Sequence, residues 1–402
     1  METKLGLKEN WQQFTLLVII NAFVGGMIGL ERNILPQLAE KEFGLASKTA
    51  ILSFIIAFGI TKAICNYFTG KLANHIGRKK LMLIGWLFAM PIPFILIFAN
   101  NWNWIIFANI LLGISQGLTW SMAVIMKIDL VGTKKRGLAV GINEFAGYLS
   151  VGIVAFLTGY IANLYGIRPY PFYLGILFSF SGLLLTILFL KDTKSHVDTE
   201  SSQSSIPLLN NIFLDTTFKH KSLSGITQAG LVNNLNDGMT WGLLPLLLLS
   251  KQFTVSQIGV LTAIYPAVWG LSQLFTGKLS DMYSKRMLLF WGMLLQAVGI
   301  VLLVYATTLI HFIIIGTVLG FGTALVYPTF INAIADYTHP SQRAESLGTF
   351  RLWRDLGYAF GALLTGIIAD SFGLSSSIVS IGFLTGVSAF VVLFRVKDVE
   401  KI

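Results

Sequence analysis

Twelve long apolar segments dominate this chain. Eight carry no charge at all: residues 10–30, 81–101, 102–126, 170–190, 252–277, 287–310, 312–335 and 371–394. Four more, 49–69, 137–167, 223–250 and 342–369, carry one or a few charges. A helix needs about 20 apolar residues to cross a bilayer core of about 30 Å. Membrane barrel strands are about 10 residues long and alternate with period two, and these runs do neither. The predicted fold class is therefore all-α membrane protein with twelve transmembrane helices. Only 12% of the residues are charged, against about 25% in a soluble domain, which excludes an ordinary soluble enzyme. The single cysteine, Cys65, leaves no intramolecular disulfide and no CxxC metal or redox motif.

The basic residues behind the net charge of +10 concentrate in alternate loops. Arg78-Lys79-Lys80, Lys134-Lys135-Arg136, Lys219 and Lys221, Lys285-Arg286, Arg343 and the tail Arg395, Lys397 and Lys401 fall on one side, together with Lys4 and Lys8. The opposite loops are poor in Lys and Arg, as at Asn100-Asn101-Trp102 and 306–310. The positive-inside rule then predicts a multi-pass cell-membrane protein with both termini cytoplasmic. Topology accounts for the charge, so nucleic acid is not an expected partner. The first apolar run is too long for a signal peptide and is read as a retained helix.

The chain is also a duplication. Thr69-Gly70-Lys71-Leu72 recurs 207 residues later as Thr276-Gly277-Lys278-Leu279. The same shift carries Gly85 to Gly292, Gly113 to Gly320, Asp129 to Asp336, Arg136 to Arg343, Gly141 to Gly348 and Gly166 to Gly373. Two six-helix bundles, 1–191 and 223–402, are expected, joined by a polar cytoplasmic linker, 192–222. The segment 207–218 is a candidate amphipathic helix on the membrane surface. Two similar bundles can pivot about a central site and open it to each side in turn.

The stretch Gly70-Lys71-Leu72-Ala73-Asn74-His75-Ile76-Gly77-Arg78-Lys79-Lys80 resembles the loop 2–3 signature of the major facilitator superfamily. Its second copy, Gly277 to Arg286, sits at loop 8–9. The resemblance covers essentially the whole chain. It implies that the acidic residue of the motif latches neighbouring helices on the cytoplasmic side. Asp281 keeps that acid, whereas Asn74 replaces it in the first copy. With the duplicated pairs Asp129/Arg136 and Asp336/Arg343, the motif residues Gly70, Asn74, Gly77, Arg78, Gly277 and Asp281 form the expected gate. The resemblance further implies that the second helix packs on the eleventh, the fifth on the eighth, and that helices one, four, seven and ten line a cavity.

Charges within spans are functional candidates by default. At about 1.5 Å per residue, Glu144, Lys62 and Arg351 lie roughly 12 Å inside the cytoplasmic end, and Asp355 roughly 6 Å deeper. Glu31, Arg32 and Asp237 lie towards the outer half. Glu144 plus 207 is Arg351, so the duplicated position carries opposite charges. Arg351, Asp355 and Tyr358 share one helix face. Lys62 or Arg354 is expected to pair with Asp355. Each charge is read either as an inter-helix brace or as a solute or proton contact. Asn233, Asn236, Gln116 and Tyr327 can hydrogen-bond a solute. Trp120 and Trp241 either stack on it or anchor and pack.

No GxxxxGK[ST] loop is present, the five histidines are scattered, and no nucleophile–base arrangement is visible. No cofactor, metal or enzymatic activity is expected. The reading is a monomeric secondary active transporter of a small solute working by alternating access in the lipid bilayer. An ion gradient, most readily of protons, drives it. Glu144 and Asp237 are the expected protonation sites, as buried acids without a permanent counter-charge. Arg351, Arg354 and Lys62 suggest an anionic or zwitterionic solute. A drug–proton antiporter is the rival within transport, although the fifth helix lacks the Gly-Pro-Gly signature at Gly141-Ile142-Asn143-Glu144. A transport-dead sensor is the rival of another class.

Overall fold

The computed structural model describes residues 4–32, 34–44 and 48–399, except for the side chains at 32, 40, 48–52, 255 and 256. Among the described residues it contains helices and no strand. Twelve long elements follow one another: α1 Trp11–Arg32, α2 Lys48–Ile76, α3 Arg78–Ala89, α4 Trp102–Val131, α5 Arg136–Tyr165, α6 Tyr173–Leu188, α7 Lys221–Ser250, α8 Val255–Met282, α9 Lys285–Tyr305, α10 Leu309–Tyr337, α11 Pro340–Phe372 and α12 Leu374–Arg395. Nine helical stretches of the described residues are long and apolar enough to cross a membrane. α2, α7 and α11 are not among them; the centre of α7 holds Asn233, Asn234 and Asp237, and that of α11 holds Arg351, Arg354 and Asp355.

Local chemistry sets many of the boundaries. Asn101, Ser284 and Thr308 cap α4, α9 and α10 with side-chain oxygens, and Thr254 with Gln257 closes a capping box on α8. Gly77 lies between α2 and α3 with φ +95°, a conformation that costs glycine little. The run 81–101, expected as one helix, is divided: α3 ends at Ala89 and a second helix spans Pro91–Phe98. Pro91 and Pro93 lack the amide hydrogens that an unbroken helix would use. Segment 207–218 does not form one amphipathic helix. Only Ile212–Leu214 and the turn Asp215–Lys219 are helical, and Trp353 of α11 donates to Thr217 at 3.1 Å.

The chain forms two compact units. One comprises Met1–Lys134 and Ile142–Ser204, the other Lys135–Gly141 and Ser205–Ile402. Within the first, α2 and α3 both pack on α4, and α6 packs on α1 and α3. α1 meets α5 backbone to backbone: a Cβ on Gly25 would stand 2.2 Å from the Gly147 carbonyl oxygen. The second unit repeats the plan, with α8 and α9 on α10, α12 on α9, and α11 on α7. Its Ser250 end is closed by an apolar core that includes Met239, Leu243, Leu247, Leu261, Ile300 and Phe312.

Candidate functional site

In the first unit, Glu144 of α5 is fully buried and accepts from the Trp120 indole and from Asn143 Nδ2, each at 2.9 Å. Asn143 Oδ1 in turn accepts from Lys127 Nζ at 2.6 Å. Lys127 is also fully buried and donates to the Leu17 carbonyl oxygen at 2.9 Å. One ammonium thus ties α1, α4 and α5 together, and it lies in the field of Glu144. Glu144 therefore has a buried amine, Lys127, within its field, a neighbour that sequence reading did not place there. Lys127 stands one residue beyond the uncharged run 102–126, where sequence reading placed the span's end. α4 in fact continues to Val131 and buries it.

Other polar residues of this unit bond to its own helices. Gln116 donates to the Val24 carbonyl oxygen at 2.9 Å and Asn21 to that of Asn143 at 2.7 Å. Glu31 is buried and bonded to Asn109. The Arg32 side chain lies outside the described residues. Trp120 is buried, with Lys62 Nζ 5.7 Å from its ring and Tyr148 edge-on at 5.4 Å, so it is not a lipid anchor. Trp241, by contrast, is 44% exposed.

In the second unit, Asp237 of α7 is fully buried. Tyr265 of α8 donates to its Oδ1, and Tyr358 of α11 to its Oδ2 at 3.3 Å. The Tyr265 hydroxyl also bonds Thr323 of α10 at 3.1 Å. From Tyr265 a ring series continues through Trp269, at 6.1 Å, to Tyr327, at 5.9 Å. The Arg354 guanidinium lies 4.1 Å from the Tyr327 ring centroid and donates to Asp355 at 3.1 Å. Asn234 donates to the same carboxylate at 3.4 Å. Asp355 thus finds Arg354, one of its two expected partners, inside its own unit, and the charge of Arg354 is already matched. Arg351 is buried one turn away on α11. Asn236, expected to face a solute, instead bonds Gln296 of α9 at 3.1 Å and Thr385 of α12 at 2.7 Å, which makes it a clamp between supporting helices. Tyr265 and Trp269 escaped sequence reading because they sit in an otherwise apolar, uncharged run.

Asp129 and Asp336, two of the expected gate residues, each take part in an ion pair that recurs at the repeat offset. Arg78 bonds Asp129 at 3.2 Å, and 207 residues on Lys285 bonds Asp336 at 2.5 Å. Thr193 also donates to Asp129 at 2.8 Å, and Arg136 to Asp336 at 3.2 Å. Arg343 is buried. Asp281 accepts from the amides of Gly137 and Leu138 at 2.8 and 2.9 Å and from Asn332 at 3.0 Å. Its carboxylate therefore caps the amino end of α5, where the helix dipole favours negative charge. Gly277 permits this approach, because a Cβ there would stand 2.5 Å from the Gly137 carbonyl oxygen. Asp281→Ala should lower stability by about 1–2 kcal/mol, read as a lower thermal midpoint, with Asp281→Asn in between.

A profile described as Major Facilitator Superfamily matches residues 15–228 and 226–401. The chain belongs to the major facilitator superfamily. Among superfamily relatives, the proton-coupled antiporter flippase LtaA of Staphylococcus haemolyticus is 25% identical over 386 residues, covering 92% of this chain and 90% of that protein. The multi-drug resistance efflux pump PmrA of Streptococcus pneumoniae is 26% identical over 417 residues, covering 97% and 99%. The crystal structure of the human organic anion transporter MFSD10 (TETRAN) superposes with a TM-score of 0.76 at 17% identity, covering 95% and 99%, which shows the shared fold. As a superfamily member the chain is a multi-pass membrane transporter.

Proposed function

We propose that the chain is a proton-coupled secondary transporter moving a small solute by alternating access across the cell membrane. The observation carrying this reading is the buried Asp237 carboxylate held by the hydroxyls of Tyr265 and Tyr358, with Thr323 next along. A carboxyl among O–H groups exchanges a proton with little more than hydroxyl rotation. The charged form accepts from α8 and α11 together, and the neutral form holds them less tightly. Protonation then shifts the balance between two helix arrangements, which is the requirement for coupling. Glu144, bonded to Trp120 and Asn143 and facing Lys127 through Asn143, acts in this reading as a strut between α4 and α5. In this reading 1–191 and 223–402 are the bundles that move, 192–222 links them, both termini are cytoplasmic, and the monomer is the working unit.

The test is pH-driven exchange in liposomes that contain a trapped pH dye. Asp237→Asn should reduce proton movement on solute addition by about tenfold or more while solute counterflow persists. Wild-type proton movement in that variant would overturn the assignment. A second reading, export of toxic compounds, draws on the likeness to PmrA over 97% of the chain. Ethidium added to the same liposomes separates the two, because only an exporter of this kind exchanges it for protons.

A further inference from the structure

The chain leaves both bundles in the same way, a likeness that the 207-residue offset conceals. Leu190-Lys191-Asp192 follows α6, and Val396-Lys397-Asp398 follows α12, 206 residues later. Each triplet is a strap laid over its own unit at three points. The apolar residue is the anchor: Leu190 and Val396 are both buried. The lysine amide donates to a side chain at the start of the unit's first helix, Lys191 to Gln13 of α1 at 2.9 Å and Lys397 to Ser222 of α7 at 3.2 Å. The aspartate carboxylate caps the start of the unit's third helix. Asp192 accepts from the Lys79 amide of α3 at 2.9 Å, and Asp398 accepts from the Arg286 amide of α9 at 3.2 Å and from the Ser284 hydroxyl. A carboxylate there satisfies an amide that the helix leaves unpaired, and it lies at the positive end of the helix dipole.

Those two helix starts carry the gate cations. Arg78 and Lys285 are the first residues of α3 and α9, each one residue before the capped amide, and they bond Asp129 and Asp336. The straps reach the acids as well. Thr193, next after Asp192, donates to the same Asp129 oxygen that Arg78 holds. Tyr337, next after Asp336, bonds Ser222 and the Lys397 backbone. Each strap thus touches both members of its pair, and cation and acid keep their register while it is seated. Resting on the reading of these pairs as the cytoplasmic gate of a transporter, we infer that Asp192 and Asp398 are the positioning residues of the two gate pairs, each holding its cation on the acid through the helix start it caps.

Side-chain labelling of the full-length protein in nanodiscs tests this without a transported solute. Phenylglyoxal reports on Arg78 and sulfosuccinimidyl acetate on Lys285, each read by mass spectrometry well below the melting midpoint. Arg78 is 1% exposed and Lys285 9%, so both should label slowly in the wild type. Asp192→Ala should speed labelling of Arg78 about five- to tenfold and leave Lys285 at its wild-type rate, and Asp398→Ala should do the reverse. Asp192→Asn and Asp398→Asn keep an oxygen for the capped amide and should retain most of the shielding. Thr193→Val, similar in shape but without the hydroxyl that bonds Asp129, is a milder second variant and should raise Arg78 labelling about threefold. Wild-type rates in both alanine variants and in Thr193→Val would overturn the inference. So would asparagine variants that label as fast as the alanine ones. A rise at Arg78 and Lys285 together in either alanine variant would overturn it too, because general loosening of the fold, and not local positioning, would then be at work. None of these results bears on proton-driven exchange by the wild-type protein, so failure here is distinct from failure of the transport reading.

Discussion

Lys127→Met should destabilise the first unit by about 3 kcal/mol, and a second change, Glu144→Gln, should recover much of the loss. The ammonium donates to the Leu17 carbonyl oxygen and to Asn143, and it balances Glu144 deep inside the unit. Methionine keeps the length and apolar stem of lysine but supplies no donor and no charge. Glu144 is then left as a buried anion without its cation, and removing one partner of a buried charge pair costs about 3–5 kcal/mol. The lower end of that range applies because Asn143 stands between the two charges. Neutral glutamine keeps the shape of Glu144 and an oxygen for Trp120 and Asn143, without the buried charge. Thermal unfolding followed by circular dichroism measures all three variants. If the double variant melts no higher than Lys127→Met, the two charges are not coupled.

Gly357→Ala should lower the folded yield and abolish transport, whereas Gly366→Ala, about two and a half turns on in the same helix, should be silent or slightly stabilising. A Cβ on Gly357 would stand 2.3 Å from the Leu231 carbonyl oxygen and 3.0 Å from the Asn234 Cβ. The nearer atom is backbone and cannot rotate away, so α11 must move off α7. That movement disturbs the bond of Asn234 to Asp355 and that of Tyr358 to Asp237. Overpacking of this kind costs about 1–3 kcal/mol before the lost bonds are counted. Gly366 has no atom within 4 Å of the added carbon, and there alanine gains up to about 1 kcal/mol from helix propensity. Equal yields from the two variants would show that α7 and α11 can separate without penalty.

Legibility varied with the kind of claim. Asp129 and Asp336 were visible as duplicated acids beside basic loops, although sequence reading could not say that Arg78 and Lys285 are cations bonded to them. Asp237 stood out as a charge in an apolar helix. Tyr265 did not, because a tyrosine inside a hydrophobic run has the same one-dimensional signature whether it packs or donates to a buried acid. Asn236 and Asn233 looked alike on paper. They lie three residues apart, about 60° around a helix, and this places one against α9 and α12 and leaves the other without a partner. Lys127 was lost at a boundary, since composition marks where a charge appears and α4 continues past it.

The amino-acid order alone determined that this chain is a duplicated all-helical membrane protein, roughly where its spans lie, and which positions are equivalent at an offset of 207. Run length, loop charge and repeat spacing are properties of a line and survive without coordinates. Only the tertiary structure decided which buried polar groups meet: Lys127 with Asn143, Tyr265 with Asp237, Arg354 with Tyr327 and Asp355. Each residue turns a helix face by about 100°, so partnership depends on how every helix is rotated against its neighbours, and that rotation is set by close backbone contacts such as Gly25 on Gly147 and Gly357 on Leu231.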